Sequence, residues 1–296
     1  MKLEINNICK NYKDKVAVKN LNLCLESGVY GLLGANGAGK TTLMRMITTL
    51  LKPTSGNITY DGKDVIKMDE NYRKLLGYLP QKFGYYPEFS AQDYLLYMAS
   101  LKGLKPSYAK SKCKELLKAV SLYEVRKKKI KTFSGGMKRR LGIAQALIND
   151  PKILILDEPT SGLDPKERIH FRNIISELGK DKIVLLSTHI VSDVESIANN
   201  ILIMKEGSII ANGTINELLK PIEDSVWTVE IEEKDIKKLE RKYIISNMKN
   251  ENRKILVRII SNNKPEYTAL KEEATLEDLF MYYFGKGDEL SESFSI

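Results

Sequence analysis

The run Gly34-Ala35-Asn36-Gly37-Ala38-Gly39-Lys40-Thr41-Thr42 stands between a short apolar segment, residues 29–33, and a helical pattern from Lys40 to about Leu51. Glycines between a buried strand and a helix let the backbone curl until successive N–H groups point inward, and the helix adds its positive end. Such a curl binds phosphate. Gly34, Asn36, Gly37, Ala38, Gly39, Lys40, Thr41 and Thr42 form the candidate cradle, with Lys40 reaching the β- and γ-phosphates and the Thr41 hydroxyl ligating Mg²⁺. A second segment, Ile153-Leu154-Ile155-Leu156-Asp157-Glu158, ends an apolar strand in two carboxylates. A buried strand has no structural use for paired acids at its tip unless a cation is nearby. Beside a phosphate loop, Asp157 is expected to hold Mg²⁺ through water, and Glu158 to act as general base toward an attacking water. The two segments together imply a P-loop nucleoside triphosphatase.

A third segment narrows the class. In Thr132-Phe133-Ser134-Gly135-Gly136-Met137-Lys138-Arg139-Arg140 the Ser134-Gly135-Gly136 turn opens a helix whose Met137, Leu141, Ala144 and Ile148 share an apolar face. Its free N–H groups and the Ser134 hydroxyl make another anion site. One nucleotide does not need two cradles from one chain. The economical expectation is that this one serves ATP bound to a second copy.

The elements around these residues follow from patterning. The 296 residues allow one large domain or two modest ones, and 43% apolar with 29% charged residues is ordinary globular composition. No run approaches the ~18–20 apolar residues of a membrane-spanning helix, and the first residues carry no apolar signal region. Cys9, Cys24 and Cys113 lie far apart, and His170 and His189 are the only histidines, so neither a disulfide framework nor a histidine metal cluster is expected. The net charge of +9 suits phosphates, nucleic acid or an anionic membrane face without choosing among them.

Residues 2–26 alternate as strands, and residues 58–60 form a strand running into the Asp61-Gly62 turn. Residues 90–149 read as helical, beginning at a Ser90-to-Asp93 capping box. The α/β pattern then returns: strands at 152–156 and 183–187, helices at 165–178 and 192–198, and a hairpin of 201–204 with 208–211. Another capping box begins at Thr214. Residues 221–225 resemble a linker. Strands at 226–231 and 254–260, a charged helix near 235–242 and a last helix from Thr275 bearing Leu276, Leu279, Phe280 and Tyr283 make a small appendage. The residues after Gly285 are expected to hang loose. The expected fold is α/β: a P-loop NTPase core with an antiparallel β subdomain, a helical signature subdomain (about 85–150) and a small C-terminal α/β appendage. The boundaries are 1–220 and 221–296.

On these motifs in this order, residues 1–220 resemble the ATP-binding subunit of ABC transporters. The phosphate loop is followed by Gln81, Ser134-Gly135-Gly136, Asp157-Glu158, Ser161-Gly162-Leu163-Asp164 and Ser187-Thr188-His189. One departure is Met137, where the family's commonest signature carries glutamine; a polar contact is thereby lost. The resemblance implies that Tyr12 stacks on adenine, that Gln81 approaches Mg²⁺ and the lytic water, that Asp164 crosses a dimer interface, and that His189 contacts the γ-phosphate. ATP and Mg²⁺ are the implied cofactors. A second ATP-binding subunit and an integral membrane permease are the implied partners, the permease docking near Gln81 and the aromatic segment 83–89. The implied location is peripheral, on the cytoplasmic face of the cell membrane. The C-terminal piece is similar to that of bacterial ATPases serving drug and antibiotic exporters, and export is the implied direction.

A non-transport, soluble ABC-type ATPase acting in assembly or with nucleic acid is the alternative. The single cassette, and a spacing between Lys40 and Ser134 too short for an inserted coiled coil, weigh against several such types. The basic run Arg126-Lys127-Lys128-Lys129-Ile130-Lys131 lacks the interleaved aromatics that single-strand binding favours, so nucleic acid is not the expected partner.

Overall fold

Alternating apolar residues build the first layer. Strands Leu3–Tyr12 and Lys15–Leu25 pair antiparallel, and Leu3, Ile5, Ile8, Val18, Leu21 and Leu25 are buried between polar, exposed neighbours. Strand Ser55–Tyr60 pairs antiparallel with the other edge of the first strand, and the two-residue strand Lys63–Asp64 completes the four-stranded sheet. The computed structural model describes residues 1–13, 15–251 and 254–285. The stretch expected to hang loose after Gly285 lies outside the described residues.

The second layer is a six-stranded sheet in the order Ser208–Gly213, Asn200–Lys205, Gly28–Leu33, Ile183–Thr188, Ile153–Asp157, Leu76–Leu79. Gly28–Leu33 and Ile153–Asp157 run parallel to both of their neighbours. Every residue of Gly28–Leu33, Ile153–Asp157 and Ile183–Thr188 is buried, as in a parallel sheet covered on both faces.

Helix Lys40–Ile47 packs among residues of both layers. Leu43, Met44, Met46 and Ile47 share one core with Leu3, Ile5 and Ile8 of the antiparallel sheet and Leu32, Ile155 and Leu185 of the parallel one. Each such side chain contributes roughly 1.5–3 kcal/mol on burial. The loop before this helix is thereby anchored to a core shared by both sheets.

Helices Ala91–Leu101, Pro106–Ala119 and Gly135–Ala146 make up the helical region. Ser90 caps the first, accepting the Asp93 N–H at 3.1 Å. Two details differ from the sequence expectation. Strand Leu76–Leu79 and the short helices Val65–Met68 and Glu70–Leu75 precede this region, and the signature helix is not one-sided: Arg139 is buried alongside Leu141 and Ile143, while Met137 is half-exposed.

The chain divides into units of residues 1–212 and 213–296. Residues 221–225, expected as a linker, are built into the second unit: Ile222 is buried and the Ser225 hydroxyl bonds Asn262 at 2.9 Å. Helix Ile215–Leu219, placed in the ATP-binding region by the sequence boundary at 220, also falls in this unit. The unit contains an antiparallel sheet ordered Ile244–Glu251, Lys254–Ile260, Val226–Ile231, Ala269–Lys271. The first and last of these strands were not foreseen. Both lie at sheet edges; Ile244–Glu251 is mostly polar after Ile245 and Ala269–Lys271 is only three residues long, so neither carries much apolar alternation. Capping boxes at Thr214 and Thr275 start the helices Ile215–Leu219 and Leu276–Phe284. Asp278, buried behind the second cap, is bonded by Arg258, Ser246 and Thr275.

Candidate nucleotide site

The register of the parallel sheet brings the chemistry to one edge. Leu33 lies beside Thr188, Asp157 beside Ser187, and Leu79 beside Leu156. The residues that follow these strand ends are the phosphate loop, His189, Glu158 and the Pro80-Gln81 turn. A parallel sheet delivers its loops this way, at the carboxyl ends of neighbouring strands.

The loop is held from below. Lys40 is buried, and its ammonium donates to the carbonyls of Gly34 at 2.6 Å and Ala35 at 3.2 Å. Burial lowers its pKa, while the nearby charges of Glu158 and Asp157 pull it back. Gly39, at φ 109°, occupies the N-cap of helix Lys40–Ile47, where a Cβ would collide with the Ala17 carbonyl; only glycine fits. No side chain caps this helix, so its first N–H groups remain directed at the loop. Above the loop lies a cavity of about 490 Å³ lined by Tyr12, Lys15, Asn36, Gly37, Ala38, Gly39, Lys40, Thr41, Thr42, Gln81 and Glu158. The half-exposed Tyr12 ring, with Lys10 at 5.6 Å from its centroid, offers a flat face there.

The carboxylate pair is set by one serine and one strained residue. Asp157 is buried; its Oδ1 accepts the Ser187 hydroxyl at 2.7 Å, and its Oδ2 has no hydrogen-bond partner among the described residues. Glu158 sits at φ 52°, a left-handed conformation costing roughly 1–2 kcal/mol for a non-glycine residue. Its N–H donates to the Ser187 hydroxyl at 3.1 Å. The strand ends at Asp157, and Glu158 opens the turn that follows it. Glu158 Oε2 lies 2.9 Å from His189 Nδ1, and His189 is itself half-exposed. The geometry suits a base poised over a water, with the imidazole fixing the carboxylate.

Ser134, Gly135 and Gly136 are absent from the residues lining this cavity. Ser134 caps helix Gly135–Ala146, accepting the Met137 N–H at 3.1 Å. Ser134 and Gly135 are exposed, whereas Gly136 faces the Glu167 carboxylate so closely that a Cβ would collide with it. Glu167 is paired with Arg140 at 2.9 Å. Asp164 caps helix Pro165–Leu178 by accepting the Glu167 N–H at 2.8 Å, and His170 bonds the Ala119 carbonyl.

Arg139 was missed by sequence reasoning. Its guanidinium donates to the carbonyls of Pro80, Gln81, Asp157, Glu158 and Pro159 at 2.5–3.1 Å. Burial lowers its pKa, opposed by Asp157 and Glu158. The available signal was a cation at i+3 from Gly136 on a helix that otherwise buries that side.

The Gln81 side chain is exposed and borders a second groove of about 680 Å³ with Thr41, Asp157, Tyr78, Phe83 and Tyr94. The aromatic segment packs onto helix Ala91–Leu101: Phe83 meets Tyr94 edge-on at 5.8 Å, and Tyr86 meets Tyr97 at 5.6 Å while staying 49% exposed. In the basic run, Lys129 and Lys131 both pair with Glu88, and Arg126 stacks on Tyr123 at 3.9 Å. No described helix is long and apolar enough to cross a membrane.

Comparison with known proteins shows the family. The ABC transporter family model matches residues 18–161. The ABC transporter ATP-binding protein YxlF of Bacillus subtilis (strain 168) is 42% identical over 245 residues, covering 82% of this chain and 81% of that protein. The linearmycin resistance ATP-binding protein LnrL of the same organism is 39% identical over 73% of this chain and 70% of its own length. The Nod factor export ATP-binding protein I of Burkholderia lata is 36% identical over 74% and 72%. Among solved structures, the dimeric post-hydrolysis state of the ATP-binding cassette MJ0796 with ADP and Pi matches with a TM-score of 0.67 at 25% identity, over 72% of this chain and 98% of that one. The chain therefore belongs to the ATP-binding subunits of ABC transporters, and it is an ATPase.

Proposed function

We propose that two copies of this chain, or this chain and a close relative, close on two ATP molecules and drive a separate membrane permease in the direction of export. The observation that carries this is the division of the anion-binding elements within one chain. The loop, Asp157, Glu158 and His189 share one sheet edge, while Ser134, Gly135 and Gly136 open a helix outside that cavity. A second chain's signature supplies the missing wall, and nucleotide contacts present only in the closed pair favour closure.

Thr41, Gln81 and the partnerless Asp157 Oδ2 border one groove, which fits a divalent cation completed by phosphate oxygens. When bound, Mg²⁺ neutralises charge on those oxygens. Lys40 stabilises the developing charge on the γ-phosphoryl group. Glu158 takes the proton of the attacking water, and His189 holds that carboxylate in place. Tyr12 stacks on the base. The groove lined by Gln81, Phe83, Tyr94 and Met98 receives a cytoplasmic segment of the permease, which attaches the chain peripherally to the cytoplasmic face of the membrane. Relatives named for linearmycin resistance and Nod factor export support the direction.

Glu158→Gln tests the cycle. The variant should lose roughly 10²-fold or more in turnover and form a stable dimer in saturating ATP, measured by light scattering. A variant that stays monomeric in saturating ATP overturns the two-copy clamp.

A further inference from the structure

Lys15 takes no part in the chemistry above, yet its ammonium overhangs the phosphate loop. It stands directly opposite Tyr12 in the antiparallel pair of Leu3–Tyr12 with Lys15–Leu25. Directly paired residues project their side chains to the same face of a sheet. Tyr12 and Lys15 accordingly line one cavity together with residues 36–42. A Cβ built on Gly37 would lie 3.9 Å from Lys15 Nζ and within 4 Å of no other neighbouring atom considered. No described carboxylate pairs with this ammonium, whereas most lysines in contact with an acid elsewhere in the chain hold it within 3 Å. Lys40, the other cation lining this cavity, is buried and donates to the Gly34 and Ala35 carbonyls.

From this geometry we infer that Lys15 is a second lysine contact for the phosphate chain of the bound adenine nucleotide. The inference rests on the ATP site proposed above. Because Lys15 arrives on the same hairpin end as the base-stacking tyrosine, it meets the phosphates nearest the ribose, which ADP and ATP share. It therefore serves affinity and leaves the γ-phosphoryl chemistry to Lys40 and Glu158.

The test is calorimetric titration of the full chain with ADP and with a non-hydrolysable ATP analogue, alongside steady-state ATPase assays. Lys15→Ala should weaken both ligands by a similar factor, roughly three- to tenfold, and raise KM while kcat at saturating ATP is retained. Lys15→Glu should weaken them further, Lys15→Arg should restore binding, and added salt should shrink the gap between wild type and Lys15→Ala. Unchanged affinity in both Lys15→Ala and Lys15→Glu would overturn the inference. So would a fall in kcat at unchanged affinity, or a loss confined to the ATP analogue. If the wild-type chain binds neither ligand, or Lys40→Ala binds as well as wild type, the ATP site itself is misplaced; that failure is distinct from the failure of Lys15.

Discussion

At the start of helix Lys40–Ile47 the cap is a glycine, no side chain bonds the first N–H groups, and two lysines flank the opening. At the start of helix Gly135–Ala146 the Ser134 hydroxyl already accepts the Met137 N–H, and the Glu167 carboxylate lies against Gly136. Both are helix N-termini, and both favour anions. The first is left open and cationic, so it can recruit a polyphosphate unaided. The second is partly satisfied by its own chain and carries a carboxylate that opposes an incoming anion. It is suited to engage a phosphate already held by another surface. One fold thus carries the same backbone device twice, once open and once partly satisfied.

Replacing the lysine of the open site should have the largest effect. Lys40→Ala is expected to lower hydrolysis roughly 10²- to 10³-fold, whereas Ser134 substitutions should spare nucleotide binding by the isolated chain; equal losses of binding at the two positions would erase the contrast. An intermediate effect is expected at Arg139, which ties helix Gly135–Ala146 to the turns after Leu79 and Leu156. Arg139→Lys keeps the charge but cannot fork to five carbonyls, and should cost about 2–3 kcal/mol in denaturant unfolding, with turnover falling as the Gln81 and Glu158 backbones loosen. Unaltered stability would show that the five hydrogen bonds are dispensable. The smallest effect sharpens the comparison most. Glu167→Gln removes the opposing charge at Gly136 and should tighten ATP-driven dimerisation roughly two- to fivefold, read by light scattering in a Glu158→Gln background. Weaker dimerisation would mean that Glu167 chiefly organises Arg140.

Much of this was legible in the residues. The phosphate loop, the Asp157-Glu158 pair and the strands that carry them are local patterns in which type and spacing state the chemistry. The capping box at Thr214 and the helix start at Thr275 were legible for the same reason, since a cap is made within four residues. Strand Ile244–Glu251 was not: after Ile244 and Ile245 it is mostly polar, and its pairing is made through backbone hydrogen bonds to Lys254–Ile260. The division after Asn212 escaped as well, because the Pro221 segment looks like a breaker until Ile222 and Ser225 are seen built into the second unit.

Local sequence determined which groups are available: a glycine-rich turn ahead of a lysine, acids at the tip of an apolar strand, a serine and two glycines before a helix. These depend on neighbours a few residues away, and short-range geometry suffices to read them. The tertiary fold decided which groups meet. Sheet register set Leu33, Thr188, Asp157 and Leu79 near one edge, the fold brought Glu158 to His189, and a hairpin carried Lys15 over Gly37. Arg139 bonds residues about sixty positions before it and about twenty after it. Such contacts are set by packing between distant segments, and no spacing along the chain encodes them.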